Sequence, residues 1–135
     1  MNYEMNWDYI AGFFDGEGNV HILKIKSNQL AVVVRMYNKE VEVLNKIKEF
    51  IRFGNIYIKE KTGVSELTIA KKSDIKIFLE NIRHKLITKK KQVDYLLDNY
   101  KFDVGVNNFS FDVDTFRSFI TRKNQEFHRK LHTNT

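Results

Sequence analysis

The sequence contains no cysteine among its 135 residues. This absence excludes disulfides, thiolate catalysis and zinc sites built on cysteine. The sequence also lacks a secretory signal and any run of about 18 apolar residues, so we expect neither secretion nor membrane insertion. The expected location is intracellular, in the cytoplasm of a prokaryote or within an organelle. Because 42% of the residues are hydrophobic, we expect residues 1–135 to form a single folded domain.

Basic residues are absent from the first 18 positions, which hold four acidic residues. The rest of the chain holds all 23 basic residues and 13 acidic ones, a net charge of +10. A short acidic segment in an otherwise basic chain is consistent with a protein that binds a polyanion and hydrolyses it at a metal ion. On charge alone, a basic protein that is merely soluble is the alternative.

A helix is predicted between Asn6, which can cap its N-terminus, and Gly18, which can end it. Ile10, Phe13 and Phe14 follow the spacing i, i+3, i+4 and therefore predict one apolar face. This face is expected to pack against the core of the domain.

The same helix breaks two local rules. Ala11, Gly12 and Gly16 form a second face of small residues, where another backbone can approach closely, although each glycine costs about 1 kcal/mol against alanine. Asp15 and Glu17 lie in the last turn, where each carboxylate opposes the helix dipole by about 0.3–1 kcal/mol. Such departures are expected at functional sites. An ordinary amphipathic helix with a glycine-rich end is the alternative.

The nine residues Ile10–Gly18, called the signature segment below, resemble the signature of the LAGLIDADG homing endonucleases. Five positions hold the family residue: Ala11, Gly12, Asp15, Gly16 and Gly18. Glu17 stands where the family usually has aspartate, and the family also uses this alternative acid. The sequence contains no second copy of the segment. Family members with one signature form homodimers, so the resemblance implies a homodimer.

Alternating apolar residues predict four strands, at residues 19–26, 30–37, 55–60 and 64–71. The alternation slips by one residue at Leu23, which predicts a bulge there. Two hairpins of this kind can form one four-stranded antiparallel sheet with helices on one face.

Further helices are predicted after each hairpin and towards the C-terminus. Asn38, Ser73, Thr88 and Asp112 can each start one, and residues 102–111 read as a loop. The order is then α, ββ, α, ββ, α, α, α, an α+β fold. The resemblance implies the family's saddle, an αββαββα core, with extra C-terminal helices.

The face of the sheet turned away from the helices, called the open face below, is the expected DNA-binding surface, since β-ribbons can enter a major groove. The resemblance implies double-stranded DNA as the partner. The residues expected to contact DNA are His21, Lys24, Lys26, Arg35, Tyr37, Tyr57, Lys59, Glu66 and Thr68.

The resemblance also implies how two protomers and a metal ion meet. The dimer contact is expected at Ala11, Gly12, Asp15 and Gly16, which brings two Glu17 side chains together. Divalent Mg²⁺, with Mn²⁺ as an alternative ion, would be held by the Glu17 carboxylate and the Gly16 carbonyl, oxygen ligands of the kind it prefers. Asp15 is expected to be a structural hydrogen-bond acceptor rather than a metal ligand.

Two further catalytic residues follow from the same family pattern. A family lysine lies just before a helix near the scissile phosphate, and its spacing from Gln92 assigns that role to Lys89. Lys90 and Lys91 extend the basic run, which otherwise reads as a solvated charge cluster. Asn38, after the second strand, is expected to orient a water molecule.

The sequence therefore indicates a site-specific, Mg²⁺-dependent, intron-encoded homing endonuclease that cuts both DNA strands and leaves short 3′ overhangs. A non-cleaving RNA-splicing maturase or a DNA-binding regulator on the same fold is the main alternative, and only the maturase would bind RNA. An unrelated structural protein is the third class, and it would have no use for the acid pair. His128 and His132 lack a neighbouring carboxylate, so zinc binding is not expected there.

Overall fold

The computed structural model describes residues 4–25 and 29–120 and contains nine helices and strands in this part of the chain, besides one 3₁₀ turn. They are α1 (Trp7–Glu17), β1 (Gly18–Lys24), β2 (Leu30–Asn38), α2 (Val41–Ile51), β3 (Asn55–Ile58), β4 (Ser65–Ile69), α3 (Lys72–Ile82), α4 (Lys90–Asn99) and α5 (Val113–Ser118). The predicted α+β order is confirmed. None of the described helices is long and apolar enough to span a membrane.

The four strands form one antiparallel sheet in the order β1-β2-β4-β3. Strand β2 lies in the middle, where Val34 pairs with Val20 on one side and Ile69 on the other. These three side chains are almost fully buried, because α1, α2 and α3 cover this face of the sheet. Strict alternation in β2 thus produces one covered face and one open face, as the pattern predicted.

Strand β1 pairs with β2 at every residue from Gly18 to Lys24, so the bulge predicted at Leu23 is wrong. Alternation continues instead and leaves Leu23 39% exposed on the open face. Lys24 falls in phase with the buried Ile22, on the side that the helices cover. It therefore does not share the predicted DNA-binding face. Lys26 lies outside the described residues, as do His128 and His132.

The core lies between the covered face of the sheet and the three helices. From α1, Ile10 and Phe14 are fully buried, and the Phe14 ring meets the Phe78 ring of α3 edge-on at 5.8 Å. Helix α2 adds Leu44 and Ile47, also fully buried. The spacing of these residues along α1 and α2 explains why each helix presents one face to the sheet.

Asn38 does not cap α2. It is the last residue of β2, where it pairs with Ser65, and its side-chain oxygen accepts the backbone N–H of Glu40 at 2.8 Å. Helix α2 begins only at Val41, without a side-chain cap. Pairing with β4 thus keeps Asn38, the suggested capping residue, in the strand.

Strand β3 is an edge strand and is shorter than predicted. It ends at Ile58, which is 61% exposed, although the alternation assigned this residue to the core. Ile56 alone turns a half-buried apolar side chain inward from β3. An edge strand has one neighbour, so its end lacks the cover that central strands receive.

Candidate active site and nucleic-acid interface

Asp15 ties the end of α1 to the chain that precedes α4. Its carboxylate accepts the backbone N–H of Ile87 at 2.7 Å and that of Lys89 at 3.0 Å. The carboxylate thereby satisfies two backbone donors 72 and 74 residues away in the sequence. Asp15 is thus a hydrogen-bond acceptor within the protomer, the structural role that we expected for it.

The Lys89 ammonium lies against the C-terminal end of α1. It donates to the carbonyl oxygens of Phe14 at 3.1 Å and Asp15 at 2.8 Å. A cation at this end satisfies carbonyls of the last turn and offsets the unfavourable acids there. Lys89 is only 9% exposed, and burial lowers its pKa, while the charges of Asp15 and Glu17 oppose that shift.

The three consecutive lysines have different environments. Helix α4 begins at Lys90 rather than at the predicted Thr88, and Lys89 occupies its N-cap position. Lys90 pairs with Asp94 one turn later, at 2.8 Å. Lys91 is exposed. Of the three, Lys89 alone has the contacts with the signature segment described above.

Glu17 and Gly16 are both exposed at the end of α1. A carboxylate and a backbone carbonyl are oxygen donors, so this pair fits a hard divalent cation such as Mg²⁺. Within residues 4–25 and 29–120, no three His, Cys, Asp or Glu side chains cluster closely enough to hold a metal ion. Glu17 therefore does not belong to a cluster of three such side chains within the described part of the chain.

Within residues 4–25 and 29–120, nothing packs against one face of α1. Gly12 and Gly16 are exposed, and a Cβ atom added at either would meet nothing within 4 Å. Tyr9 and Phe13 lie on the same face with their rings stacked 6.3 Å apart, and Tyr9 is 49% exposed. Ala11, which we expected on this face, is instead 2% exposed in the protomer's own core.

Sequence reasoning therefore missed two residues of this face. Phe13 packs against the core, as its i, i+3 spacing predicted, but it is only partly buried and also stacks on Tyr9 at this face. Tyr9 lies one helical turn before Gly12 and Phe13, and this spacing could have identified it.

The centre of the open face is a polar cluster around Glu66. Its carboxylate lies 3.7 Å from Nε of Arg35 and accepts the Thr68 hydroxyl at 3.0 Å. Tyr37 and Tyr57 face Glu66 from the two neighbouring strands. Residues from β2, β3 and β4 thus meet here, as the alternation of each strand predicted.

Burial and charge shift two pKa values in this region. Burial raises the pKa of the Tyr37 phenol, and Glu66 adds to that shift. Burial also lowers the pKa of His21 from its ordinary value of 6.5, and the Arg35 charge adds to the effect. The Lys59 ammonium lies 5.4 Å from the centre of the Tyr37 ring.

A small cavity lies between the open face and the start of α4, where Lys89 meets the end of α1. Its volume is about 110 Å³, and its lining includes Asn19, His21, Lys89 and Gln92. The open face and the end of α1 are therefore contiguous. Asn38 ends β2 on the covered side, so its expected role with a water molecule stays a prediction.

Together these features define an α+β domain with an open antiparallel sheet beside one acidic helix end. The sequence profile of the LAGLIDADG endonuclease family matches residues 10–100, and the chain belongs to this family. The resemblance noted in the signature segment is therefore confirmed. No match to a curated protein was found.

Solved structures of the family share the fold. The homing endonuclease I-TnaI has a TM-score of 0.59 and 26% identity, over 71% of this chain and 74% of its own. The homing endonuclease I-CvuI, in complex with the I-CreI target, has a TM-score of 0.60 and 22% identity, and the match covers 68% of this chain and 63% of its own. The archaeal intron-encoded homing endonuclease I-Vdi141I, complexed with DNA, has a TM-score of 0.55 and 21% identity, and the match covers 84% of this chain and 92% of its own. The match with I-CvuI thus spans less than two thirds of that chain.

Proposed function

We propose that this chain is a site-specific double-strand DNA endonuclease that works as a homodimer with a divalent metal ion. The observation that carries the proposal is the exposed Glu17 carboxylate at the end of the signature segment, in a chain of an endonuclease family. An acid in this position costs helix stability, so it needs a reason outside the helix.

The dimer would form through the uncovered face of α1. Gly12 and Gly16 leave open space for a second helix, and Tyr9 and Phe13 add exposed aromatic surface beside it. A twofold axis along this face would bring the two Glu17 carboxylates together. The target would then be pseudo-palindromic, because a symmetric dimer presents the same surface to each half-site.

Glu17 and the Gly16 carbonyl would hold Mg²⁺, or Mn²⁺ in its place. Such an ion, when bound, supplies an activated water and stabilises charge on the phosphate. Lys89 would place a cation beside the reacting phosphate, where negative charge develops during hydrolysis. Asn38 is proposed to orient water near the same end of α1.

The open face would lie along the DNA. Its central cluster offers hydrogen-bond donors and acceptors, and the chain outside its first 18 residues carries a net charge of +10. Positive charge supplies affinity for phosphates, while polar groups on a sheet can distinguish bases. I-CvuI and I-Vdi141I are relatives solved with DNA, which supports DNA as the partner.

The test is Glu17→Gln, which keeps the size of the side chain and removes its charge. Cleavage of a target selected by binding should fall to background in Mg²⁺, while affinity for that target stays similar. Glu42→Gln, an exposed acid on α2, is the matched control and should cut at the wild-type rate. Wild type in Ca²⁺ should bind and cut little, since Ca²⁺ prefers longer and looser coordination.

Cutting by Glu17→Gln at the wild-type rate, or by wild type in EDTA, would contradict the metal mechanism. Binding to structured intron RNA without any cutting of DNA would favour a maturase instead.

A further inference from the structure

We infer that Arg35 reads a guanine in the inner part of each half-site, and that Glu66 is the positioning residue that holds Arg35 for this task. The inference rests on the proposed DNA-binding function and adds a base preference to it. Glu66 itself, although it lies on the open face, would not contact a base.

Glu66 is occupied by its neighbours. Its side chain is only 12% exposed. One carboxylate oxygen faces the Arg35 guanidinium at 3.7 Å, and the other accepts the Thr68 hydroxyl at 3.0 Å. The Tyr37 phenol adjoins the same carboxylate. A carboxylate that is engaged in this way has little left to offer a base, whereas a free one would repel nearby phosphates.

Arg35, unlike Glu66, keeps part of its side chain exposed. Its Nε atom is buried beside Glu66, yet its side chain as a whole is 32% exposed. The exposed surface therefore belongs to other atoms of the side chain, whose remaining donors are the two terminal nitrogens. Contacts with Glu66 and Tyr37 restrict the guanidinium, so less freedom is lost when it binds.

The ion pair at Nε, which is too long for a hydrogen bond, leaves the two terminal nitrogens of the guanidinium as a fork of donors. This fork matches O6 and N7 of guanine in the major groove, the commonest specific contact between proteins and DNA. The ion pair with Glu66 also weakens the attraction of Arg35 to distant phosphates, since the carboxylate neutralises much of the guanidinium charge. The arrangement thus favours a base contact over a phosphate contact.

The register of the sheet locates this base. Arg35 lies opposite Asn19, which is two residues past the end of α1. In the proposed dimer the ends of both α1 helices lie near the twofold axis. The guanine would therefore lie close to the cleavage centre, on the inner side of each half-site.

The experiment selects bound duplexes from a randomised library in Ca²⁺ and sequences them. Wild type should show one guanine position in the inner part of each half-site, with about 5- to 150-fold discrimination. Arg35→Ala and Arg35→Lys should flatten this position and leave the others intact. Glu66→Gln should broaden the same position alone, and in the Arg35→Ala background it should have no further effect there. Lys59→Ala, a phosphate-type control, should weaken binding to all sequences alike.

A uniform loss of affinity in Arg35→Ala, with the base preferences unchanged, would overturn the inference and leave the proposed DNA binding standing. Loss of every base preference in Glu66→Gln, with normal far-ultraviolet circular dichroism, would overturn the positioning role. If Glu66→Gln does not fold, Arg35→Lys still decides the base contact. Failure of wild type to bind any duplex would overturn both this inference and the proposed function.

Discussion

Lys89 is the side chain at which several local departures from helix rules compensate one another. The acids at the end of α1 are unfavourable for that helix, and a cation at the start of α4 is unfavourable for the other. The Lys89 ammonium bonds to the carbonyls of Phe14 and Asp15 at the end of α1. The Asp15 carboxylate in turn accepts two backbone N–H groups at the start of α4 and just before it, so these two charges each face the favourable end of a neighbouring helix. The cost to each helix is thereby offset by a tertiary contact.

Lys89→Ala should slow DNA cleavage more than it weakens DNA binding. One lysine is a small part of a many-contact interface, whereas a cation beside the reacting phosphate acts where charge develops. The variant should also lose about 1–3 kcal/mol of stability, because two carbonyls lose a charged donor. Single-turnover cleavage, a mobility-shift titration and urea unfolding measure the three effects. The exposed Lys91→Ala is the control, and a larger effect there would mean that the role was assigned to the wrong lysine.

His21 should make the stability of the protein fall in acid. Its pKa is lower in the folded protein than in the unfolded chain, so the unfolded chain binds the proton more readily. The contribution is present above the unfolded pKa of about 6.5 and is lost as the pH falls through the folded pKa. Urea unfolding at about pH 7.5 and pH 5.5 should therefore show a smaller loss in His21→Gln than in wild type. The exposed His84→Gln should behave like wild type, and equal losses in all three proteins would contradict the argument.

The glycines of α1 and of its C-cap differ in the space around them. Gly12 and Gly16 have open space beside them, whereas a Cβ atom at Gly18 would lie 2.2 Å from the Phe14 ring. Packing among the residues that the structure describes therefore does not require glycine at the first two positions. Gly18 is required there, because the turn from α1 into β1 passes directly over Phe14.

Gly12→Leu should leave the protomer folded and disrupt the dimer, because a bulky side chain would separate the two α1 helices. Overpacking of this kind costs about 1–3 kcal/mol or more. Sedimentation at micromolar concentration should show wild type as a dimer and Gly12→Leu as a monomer with normal circular dichroism. Gly18→Ala is the contrasting control, which should lower the stability of the protomer itself. A monomeric wild type would exclude the proposed dimer.

For the whole molecule, the uneven charge predicts binding that depends strongly on salt. The logarithm of the DNA affinity should fall linearly with the logarithm of salt concentration, with a slope of about −0.9 per phosphate that the protein neutralises. Lys59→Ala should make the slope shallower by about 0.9, because one phosphate would no longer have a cation beside it. Fluorescence anisotropy over a range of salt concentrations measures both values. Affinity that does not change with salt would contradict a phosphate-dominated interface.

Periodicity alone was enough to predict the order of the elements and the two faces of the sheet. In β2, one face carries only large apolar residues, Val32, Val34 and Met36, while the other is mixed, and this difference decides which side meets the helices. Predictions from local sequence failed where a local signal competes with the pairing of strands. Leu23 suggested a bulge, but an uninterrupted ladder with β2 left it exposed, and Asn38 stayed in the strand rather than capping α2.

The sequence by itself determined the family, the helix that carries Glu17 and the outward positions of the sheet, because these depend on the spacing of neighbouring residues. Only the tertiary structure decided which lysine meets α1, what Asp15 holds, and that Glu66 is engaged by Arg35. Asp15 and Lys89 are 74 residues apart in the sequence, and Arg35 and Glu66 are 31 residues apart. Their contacts arise when distant elements pack together, and no local pattern of residue types encodes which partner each charge will find.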